Sequence, residues 1–140
     1  MPENQLSLTS ETLNAIMPFG AHLDLRLVSA EPDEVVGTMA WDVRLTTAGS
    51  ALHGGALMSL ADSVGGAVAF LNLPDGASTS TISSSTVFLR GVREGVVTAT
   101  GRLVHKGRST IVVETELRDA QDRPVALTTQ TQAVLAPRSE

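Results

Sequence analysis

The segment from Ala51 to Leu73 constrains the fold more than any other part of the 140-residue chain. Its apolar side chains recur every three or four residues, which is the period of a helix with one buried face. These side chains are Leu57, Leu60, Ala61, Val64, Ala67, Val68 and Leu71. We therefore expect a helix of about five turns. Pro74 should end it, because proline cannot continue the helical hydrogen bonds.

One acidic residue lies inside this apolar helix. Asp62 is the only formally charged side chain between Arg44 and Asp75, and a carboxylate in such a helix costs stability unless it has partners or a use. Gly65 and Gly66 lie within one turn of it, where each interior glycine costs about 1 kcal/mol relative to alanine. A ligand or another chain packed against that face would explain the glycines. The alternative is a solvated surface acid.

The helix is preceded by His53, Gly54 and Gly55. The first backbone N–H groups of a helix have no internal acceptors, and the helix dipole favours negative charge at that end. Asp62 follows Gly54 by eight residues, which places it about 80° around and about 12 Å along the axis. The acid and the N–H groups should therefore face a common side, separated by the length of a small acyl group.

Composition limits the class of protein. The length suits one domain spanning residues 1–140, and the absence of cysteine excludes disulfides, thiolate metal sites and a cysteine nucleophile. The net charge of -5, with scattered basic residues, argues against nucleic-acid binding. We see no signal peptide and expect a cytoplasmic protein. The long apolar segment contains four glycines and a central acid, which argue against a membrane span.

Hydrophobic periodicity predicts a short leading helix over residues 10–17, capped by Ser10 and ending at Pro18. Six strands are expected, over residues 21–30, 35–43, 77–89, 96–104, 110–117 and 125–135. The first two should form a hairpin. This order predicts an α+β fold in which an antiparallel sheet curls around the long helix.

The last strand contains a polar run from Thr128 to Gln132, so we expect the outer face of the sheet to be solvated or used for assembly. One sheet can cover only one side of the helix. A second copy of the chain should cover the face that carries Asp62, Gly65 and Gly66.

The residues offer few kinds of chemistry. His22, His53 and His105 are isolated in sequence, so we expect no metal, and the serines lack a nucleophile-elbow motif. A carboxylate and a glycine-rich helix start remain. They suit acyl transfer from a thioester, in which N–H groups polarise the carbonyl and the carboxylate attacks it or activates water. Arg90, Lys106, Arg108 and Arg138 could bind phosphates of coenzyme A, although each is also an ordinary surface charge.

These residues resemble a known family, the hotdog-fold acyl-CoA thioesterases, and within it the phenylacetate-pathway (PaaI-type) group. The resemblance runs from about residue 21 to residue 135. Its most specific part is Leu52-His53-Gly54-Gly55 followed by Leu60-Ala61-Asp62-Ser63. The segments Val87-Phe88-Leu89-Arg90 and Lys106-Gly107-Arg108-Ser109-Thr110 also resemble the family.

The resemblance implies a hotdog fold and a homodimer with active sites at the subunit interface, commonly assembled into a homotetramer. It implies that Asp62 is the nucleophile or general base and that a Gly54 or Gly55 N–H is the oxyanion donor. His53 would support them, and Thr47 or Thr81 would place water or substrate. Family members often carry Asn or Gln at the position of Thr47. Contacts to coenzyme A, which belongs to the substrate and is no cofactor, are implied for Arg90, Ser109 and Thr110. The cations Lys106 and Arg108 complete the set of residues predicted to bind it.

The sequence thus predicts an acyl-CoA thioesterase acting on aromatic or medium-length acyl groups, with the acyl part lying along Gly65 and Gly66, small residues that leave room near Asp62. A non-catalytic acyl-CoA sensor or binding module on the same fold is the alternative, because a fold does not determine a function. A hydratase would require a differently placed His-Asp pair, which we do not find.

Overall fold

A computed structural model describes residues 7–137 and contains one antiparallel sheet of six strands around a long helix. The helices are α1 (Ser10–Ile16), α2 (Pro18–His22) and α3 (Gly54–Leu71). The strands are β1 (Arg26–Ala30), β2 (Glu34–Ala40), β3 (Ser78–Phe88), β4 (Val96–Lys106), β5 (Thr110–Arg118) and β6 (Pro124–Leu135). Their order across the sheet is β1-β2-β4-β5-β6-β3. The predicted α+β hotdog architecture is confirmed.

Helix α3 is the centre of the core. Leu60, Val64 and Val68 have no exposed surface, because they point into the concave face of the sheet. By length and mean hydropathy (1.4) α3 could cross a membrane, but 56% of it is buried inside the domain, as in the core helix of a globular protein. The helix ends near the predicted proline, with Asn72 as its C-cap.

Two strand glycines let the sheet approach α3 closely. A Cβ atom on Gly37 of β2 or on Gly101 of β4 would lie 2.9 Å from a methyl carbon of Val64. A side chain at either position would therefore push the helix away from the sheet. These two glycines therefore let the sheet pack against the middle of α3, at a residue two positions from Asp62.

The N-terminal region differs from the prediction. Thr9, not Ser10, caps α1 through a reciprocal capping box with Thr12, while the Ser10 hydroxyl accepts the N–H of Leu27 and ties α1 to β1. Pro18 does not only end the first helix but begins α2, since proline suits the first position of a helix. The first strand consequently starts at Arg26, five residues later than predicted.

Strand β6 also corrects the prediction for the polar run. Thr128, Gln130 and Gln132 are buried, each at 1 or 2% exposure, and face α3. Thr129, by contrast, is exposed. A period of two determines that alternate residues share a face, but it does not determine which face is inside. Three of the five residues of the run therefore face inward.

The two edges of the sheet are unlike each other. β1 has five residues and a register shift between Leu27 and Ser29, whereas β3 has eleven and pairs only with β6. Nearly all side chains of β3 are exposed, and none is charged. Edge strands normally avoid further pairing by being short, bulged or charged. β3 carries one register shift, between Thr81 and Ser83, but is neither short nor charged.

Candidate active site

Asp62 lies at the middle of α3 and opens onto a cavity of about 380 Å³. It is exposed in the single chain. Desolvation by the surrounding protein nevertheless raises the pKa of its carboxyl group, and a hydrogen bond from Gln130 lowers that pKa in part. The site thus holds an acid whose ionised form is destabilised by its surroundings, as in many catalytic sites.

The cavity is mostly apolar. Helix α1 and its C-cap form one wall, α3 forms the floor, and the start of β3 with its preceding loop forms the other wall. Its apolar lining includes the side chains of Leu13, Ile16, Met17, Phe70 and Leu73. Gly66 also lines it, and a Cβ atom there would meet nothing within 4 Å. The space predicted beside Asp62 is therefore present at Gly66.

Gly65 has a different role from its neighbour. A Cβ atom on Gly65 would lie 1.8 Å from Oε1 of Gln130, so the side-chain amide of Gln130 occupies that space. Nε2 of the same amide donates to Oδ1 of Asp62 at 3.3 Å. The prediction that both glycines leave room for an acyl group is therefore wrong for Gly65, which contacts the protein's own glutamine. The sequence does not reveal Gln130, because the polar run that contains it predicts an outward-facing surface.

Thr81 is brought to the same cavity. Its Oγ1 accepts a hydrogen bond from Nε2 of Gln132 at 2.9 Å, and both residues line the cavity with Asp62. The Thr79 hydroxyl lies 3.2 Å from Oε1 of Gln132 and 2.8 Å from the carbonyl oxygen of Ala133, the two acceptors for its one proton. Polar side chains of β3 and β6 therefore line the cavity together with Asp62.

The start of α3 lies outside this cavity. Nδ1 of His53 accepts the N–H of Gly55 at 2.8 Å and caps the helix. The N–H groups of Ala56 and Leu57 both donate to the carbonyl of His53. Within residues 7–137 this leaves the N–H of Gly54 without an acceptor. Of the two predicted oxyanion donors, Gly54 is the one whose N–H is not already used by the helix cap.

Other residues surround this helix start. The ring of Phe88 packs against Gly54, with its nearest carbon 3.3 Å from the place a Cβ would take. Thr47 lies in the loop before the helix, where its N–H donates to the carbonyl of Ala51. Thr47 is exposed and hydrogen-bonds to the segment just before α3, whereas Thr81 lines the cavity with Asp62.

The acid and the free amide of one chain cannot meet at one carbonyl group. Asp62 and Gly54 are eight helical residues apart, about 12 Å along the axis. An attacking group and an oxyanion donor must each lie about 3 Å from the reacting atoms. One chain therefore carries two half-sites, one with the acid and one with the amide.

The residues predicted to bind coenzyme A also separate into two groups. Lys106, Arg108, Ser109 and Thr110 lie on the turn between β4 and β5, beside Ala133 of β6. The N–H of Arg90 instead donates to the carbonyl of Val125, near the start of β6. Eight residues of a strand separate the two groups, which is about 26 Å.

The basic members of both groups are exposed. In the part of the chain that the structure describes, none of Arg90, Lys106 and Arg108 forms an ion pair, whereas five other arginines do. These three cations are therefore available to a phosphate. Across residues 7–137, no three His, Asp or Glu side chains cluster as metal ligands would.

Comparison with known proteins gives a consistent result. The Thioesterase superfamily model matches residues 49–126. A candidate esterase of Deinococcus radiodurans is 36% identical over 137 residues, covering 90% of this chain and 86% of its own. A mutant thioesterase from Pseudomonas aeruginosa has a TM-score of 0.86 at 29% identity, over 94% of this chain and 96% of that one.

A thioesterase from Haemophilus influenzae has a TM-score of 0.87 at 26% identity, over 95% of this chain and 94% of that one. The family model matches more than half of the chain and includes both the helix start and Asp62. These relationships support thioester hydrolysis as the general class of reaction. The chain belongs to the thioesterase superfamily.

Proposed function

We propose that the protein hydrolyses acyl-CoA thioesters with aromatic or medium-length acyl groups, as the resemblance to the PaaI-type group implies. The observation that carries this proposal is the position of Asp62, the one acid of α3, at an apolar cavity of about 380 Å³. Ligand pockets range over about 300–1,000 Å³. The small size of this one favours a single ring or a short chain over a long fatty acyl group.

In the proposed reaction the carboxylate of Asp62 acts in one of two ways. It attacks the thioester carbonyl, releases the thiolate of coenzyme A and forms an anhydride that water then hydrolyses. Alternatively, it takes a proton from a water molecule that attacks the carbonyl directly. Both routes place negative charge on the carbonyl oxygen, which a backbone N–H can stabilise. Thr81, beside the acid, would orient the water or the substrate.

The oxyanion donor in this proposal is the N–H of Gly54 from a second copy of the chain. The separation of about 12 Å between acid and amide supports this assignment, since one chain does not complete the site. A two-fold axis that pairs one edge strand with its copy makes the two strands antiparallel. The helices that run beside them then also run antiparallel, and the Asp62 of each approaches the amide end of the other.

Strand β3 is the edge that favours such pairing. It is long, it has no charged residue, and Ile82, Val87 and Phe88 on it are 61%, 56% and 49% exposed. A second β3 would cover these side chains and satisfy the free backbone groups of the edge. Phe88 packs on Gly54, so the proposed dimer contact is continuous with the amide half-site. Two such dimers would form the homotetramer.

Coenzyme A would extend from the site toward the exposed cations. Lys106 and Arg108 lie on one turn, where Ser109 and Thr110 add hydroxyl groups, and together they suit a nucleotide phosphate. Arg90 lies near the opposite end of β6 from that turn, so it would contact a phosphate bound to the other half-site. We place the enzyme in the cytoplasm, where coenzyme A esters are made and used.

The test is a panel of acyl-CoA thioesters assayed by release of free thiol, with the wild type and Asp62→Asn compared. We expect turnover to fall by several orders of magnitude in Asp62→Asn, about 4 kcal/mol or more in activation free energy, with a much smaller change in binding. Equal rates for the two proteins would remove Asp62 from the mechanism. Tight binding of acyl-CoA without hydrolysis across the panel would instead indicate a sensor.

A further inference from the structure

The strongest feature that the sequence did not predict is a buried glutamine, Gln130, in contact with Asp62. Gln130 is 1% exposed on the inward face of β6. Its Nε2 donates to Oδ1 of Asp62, but its Oε1 has no hydrogen-bond donor within residues 7–137. Burying an acceptor without a partner is costly, and an apolar side chain of similar size would avoid that cost. The amide is therefore explained by its contact with the acid rather than by stability.

The two inward residues on either side of Gln130 make other contacts. Thr128 shares a hydrogen bond with Thr86 at 2.8 Å, and Gln132 bonds with Thr81. Both partners lie on β3, so these pairs join two strands of the sheet. Among the side-chain hydrogen bonds of these three β6 residues, that of Gln130 alone reaches a charged group and alone joins the sheet to α3.

Gly65 completes the arrangement. Because the amide oxygen of Gln130 occupies the space of a Gly65 side chain, any larger residue would displace the amide. A glycine in the helix interior lowers the stability of the helix. Its missing side chain leaves the space that the Gln130 amide occupies beside Asp62. Two residues far apart in sequence thus serve one contact.

We propose that Gln130 is a positioning residue for the thioesterase reaction: its amide holds one oxygen of the Asp62 carboxylate, directs the other toward the substrate, and requires glycine at position 65. This inference rests on the proposed function of Asp62. An amide N–H donor also favours the ionised carboxylate, which is the form that attacks or accepts a proton.

The elements around Asp62 carry few other ionisable side chains, so the effect of Gln130 on the protonation of Asp62 can be measured separately. The strands β3 and β6 contain no ionisable side chain, and α3 contains none except Asp62. On α1 the acidic residue is Glu11, which does not line the cavity. Burial raises the pKa of Asp62 and the Gln130 amide lowers it. Removing the amide should therefore move the acidic limb of the activity profile to higher pH.

The experiment compares Gln130→Met, Gly65→Ala and the double variant with the wild type. We expect Gln130→Met to lose about tenfold or more in kcat, the effect of one hydrogen bond to a charged group, and its acidic limb to shift to higher pH. Gly65→Ala should shift the limb in the same direction by displacing the amide. The double variant should be no worse in the position of its acidic limb than Gln130→Met alone, because the amide that Gly65→Ala displaces is already absent.

Thr128→Val is the matched control, since it removes a buried hydrogen bond from the same face of the same strand without touching Asp62. It should keep the wild-type kcat and acidic limb. A direct NMR titration of the Asp62 carboxyl carbon measures the same shift without turnover, and Gly65→Ala supplies a second route if Gln130→Met does not fold.

Failure of the positioning role can be distinguished from failure of the proposed function. Folded Gln130→Met with the wild-type kcat and acidic limb, while Asp62→Asn is inactive, would overturn the positioning role only. Wild-type activity in Asp62→Asn would overturn the proposed function, and the NMR titration would then still decide whether Gln130 controls the protonation of the carboxyl group.

Discussion

Nδ1 of His53 accepts the backbone N–H of Gly55 at 2.8 Å. This one contact assigns different roles to two adjacent glycines. The N–H of Gly55 is used to cap α3, and the N–H of Gly54 points out of the helix without an acceptor in the described part of the chain. His53 thereby supports the proposed site by completing the helix start rather than by touching the substrate.

Replacing Gly54 with proline tests the oxyanion role of its N–H. Proline removes that N–H, and it suits the first position of a helix. The extended backbone of His53, with ψ of 136°, is also the conformation preferred before proline. We expect Gly54→Pro to fold and to lose about 100-fold to 1,000-fold in kcat.

Gly54→Ala is the control for this variant, because it adds a Cβ atom against the ring of Phe88 but keeps the N–H. It should retain most of the wild-type turnover. Steady-state kinetics and circular dichroism of both variants check the prediction, and equal losses in the two would indicate a steric effect instead.

Mixed dimers test whether the acid and the amide come from different chains. When Asp62→Asn and Gly54→Pro chains are co-expressed and the mixed dimer is purified with two tags, one of its two sites combines both intact residues. We expect about half of the wild-type turnover per dimer. If acid and amide acted within one chain, each chain would carry one defect and the mixed dimer would stay inactive.

A charge on the β3 edge should disrupt the dimer. Val87, on β3, is 56% exposed, and Val28, on the opposite edge strand, is 66% exposed. We expect Val87→Lys to sediment as a smaller species than the wild type and to lose turnover, because it places a charge in an apolar contact. Val28→Lys should leave the dimer intact. A Val87→Lys protein that remains dimeric and active would place the interface elsewhere.

The stability of Asp62→Asn should depend on pH. Burial raises the pKa of Asp62 in the folded state, so the stability that protonation contributes is present below the unfolded pKa and is lost as the pH rises through the folded pKa. Asparagine mimics the neutral form and can still accept from Gln130. We expect the variant to melt at a higher temperature than the wild type near neutral pH.

That difference should vanish below the unfolded pKa of aspartate, where both proteins are neutral at this position. Thermal melts at a series of pH values measure it. A wild type that is the more stable protein near neutral pH would contradict the prediction.

Gly66→Ala should make the protein more stable and, at the same time, change its preference among acyl groups. A methyl group there meets nothing within 4 Å, and alanine favours a helix interior by about 1 kcal/mol over glycine. We therefore expect a higher free energy of unfolding, together with a raised KM for the bulkiest acyl groups, since the methyl group enters the cavity. Urea denaturation and the thioester panel measure the two effects, and an unchanged acyl preference would exclude Gly66 from the acyl pocket.

The sequence alone determined the features that depend on local periodicity and chemistry. The helical period around Asp62, the free amides near Gly54 and the alternation along the strands are properties of neighbouring residues. They predicted a curled sheet around one helix, with an acid and an amide-lined helix start on it. Pro18 misled the prediction, because the same residue can end one helix and begin the next.

Only the tertiary structure decided which residues meet. Gln130 is 68 residues from Asp62 in sequence, and a period of two cannot choose which face of β6 turns inward. The role of Gly65 follows from that choice, because the amide that fills its side-chain space comes from the strand beneath it. Helical geometry separates Asp62 from Gly54 within one chain, but packing across the sheet gives the acid its partner and leaves the edge of β3 open.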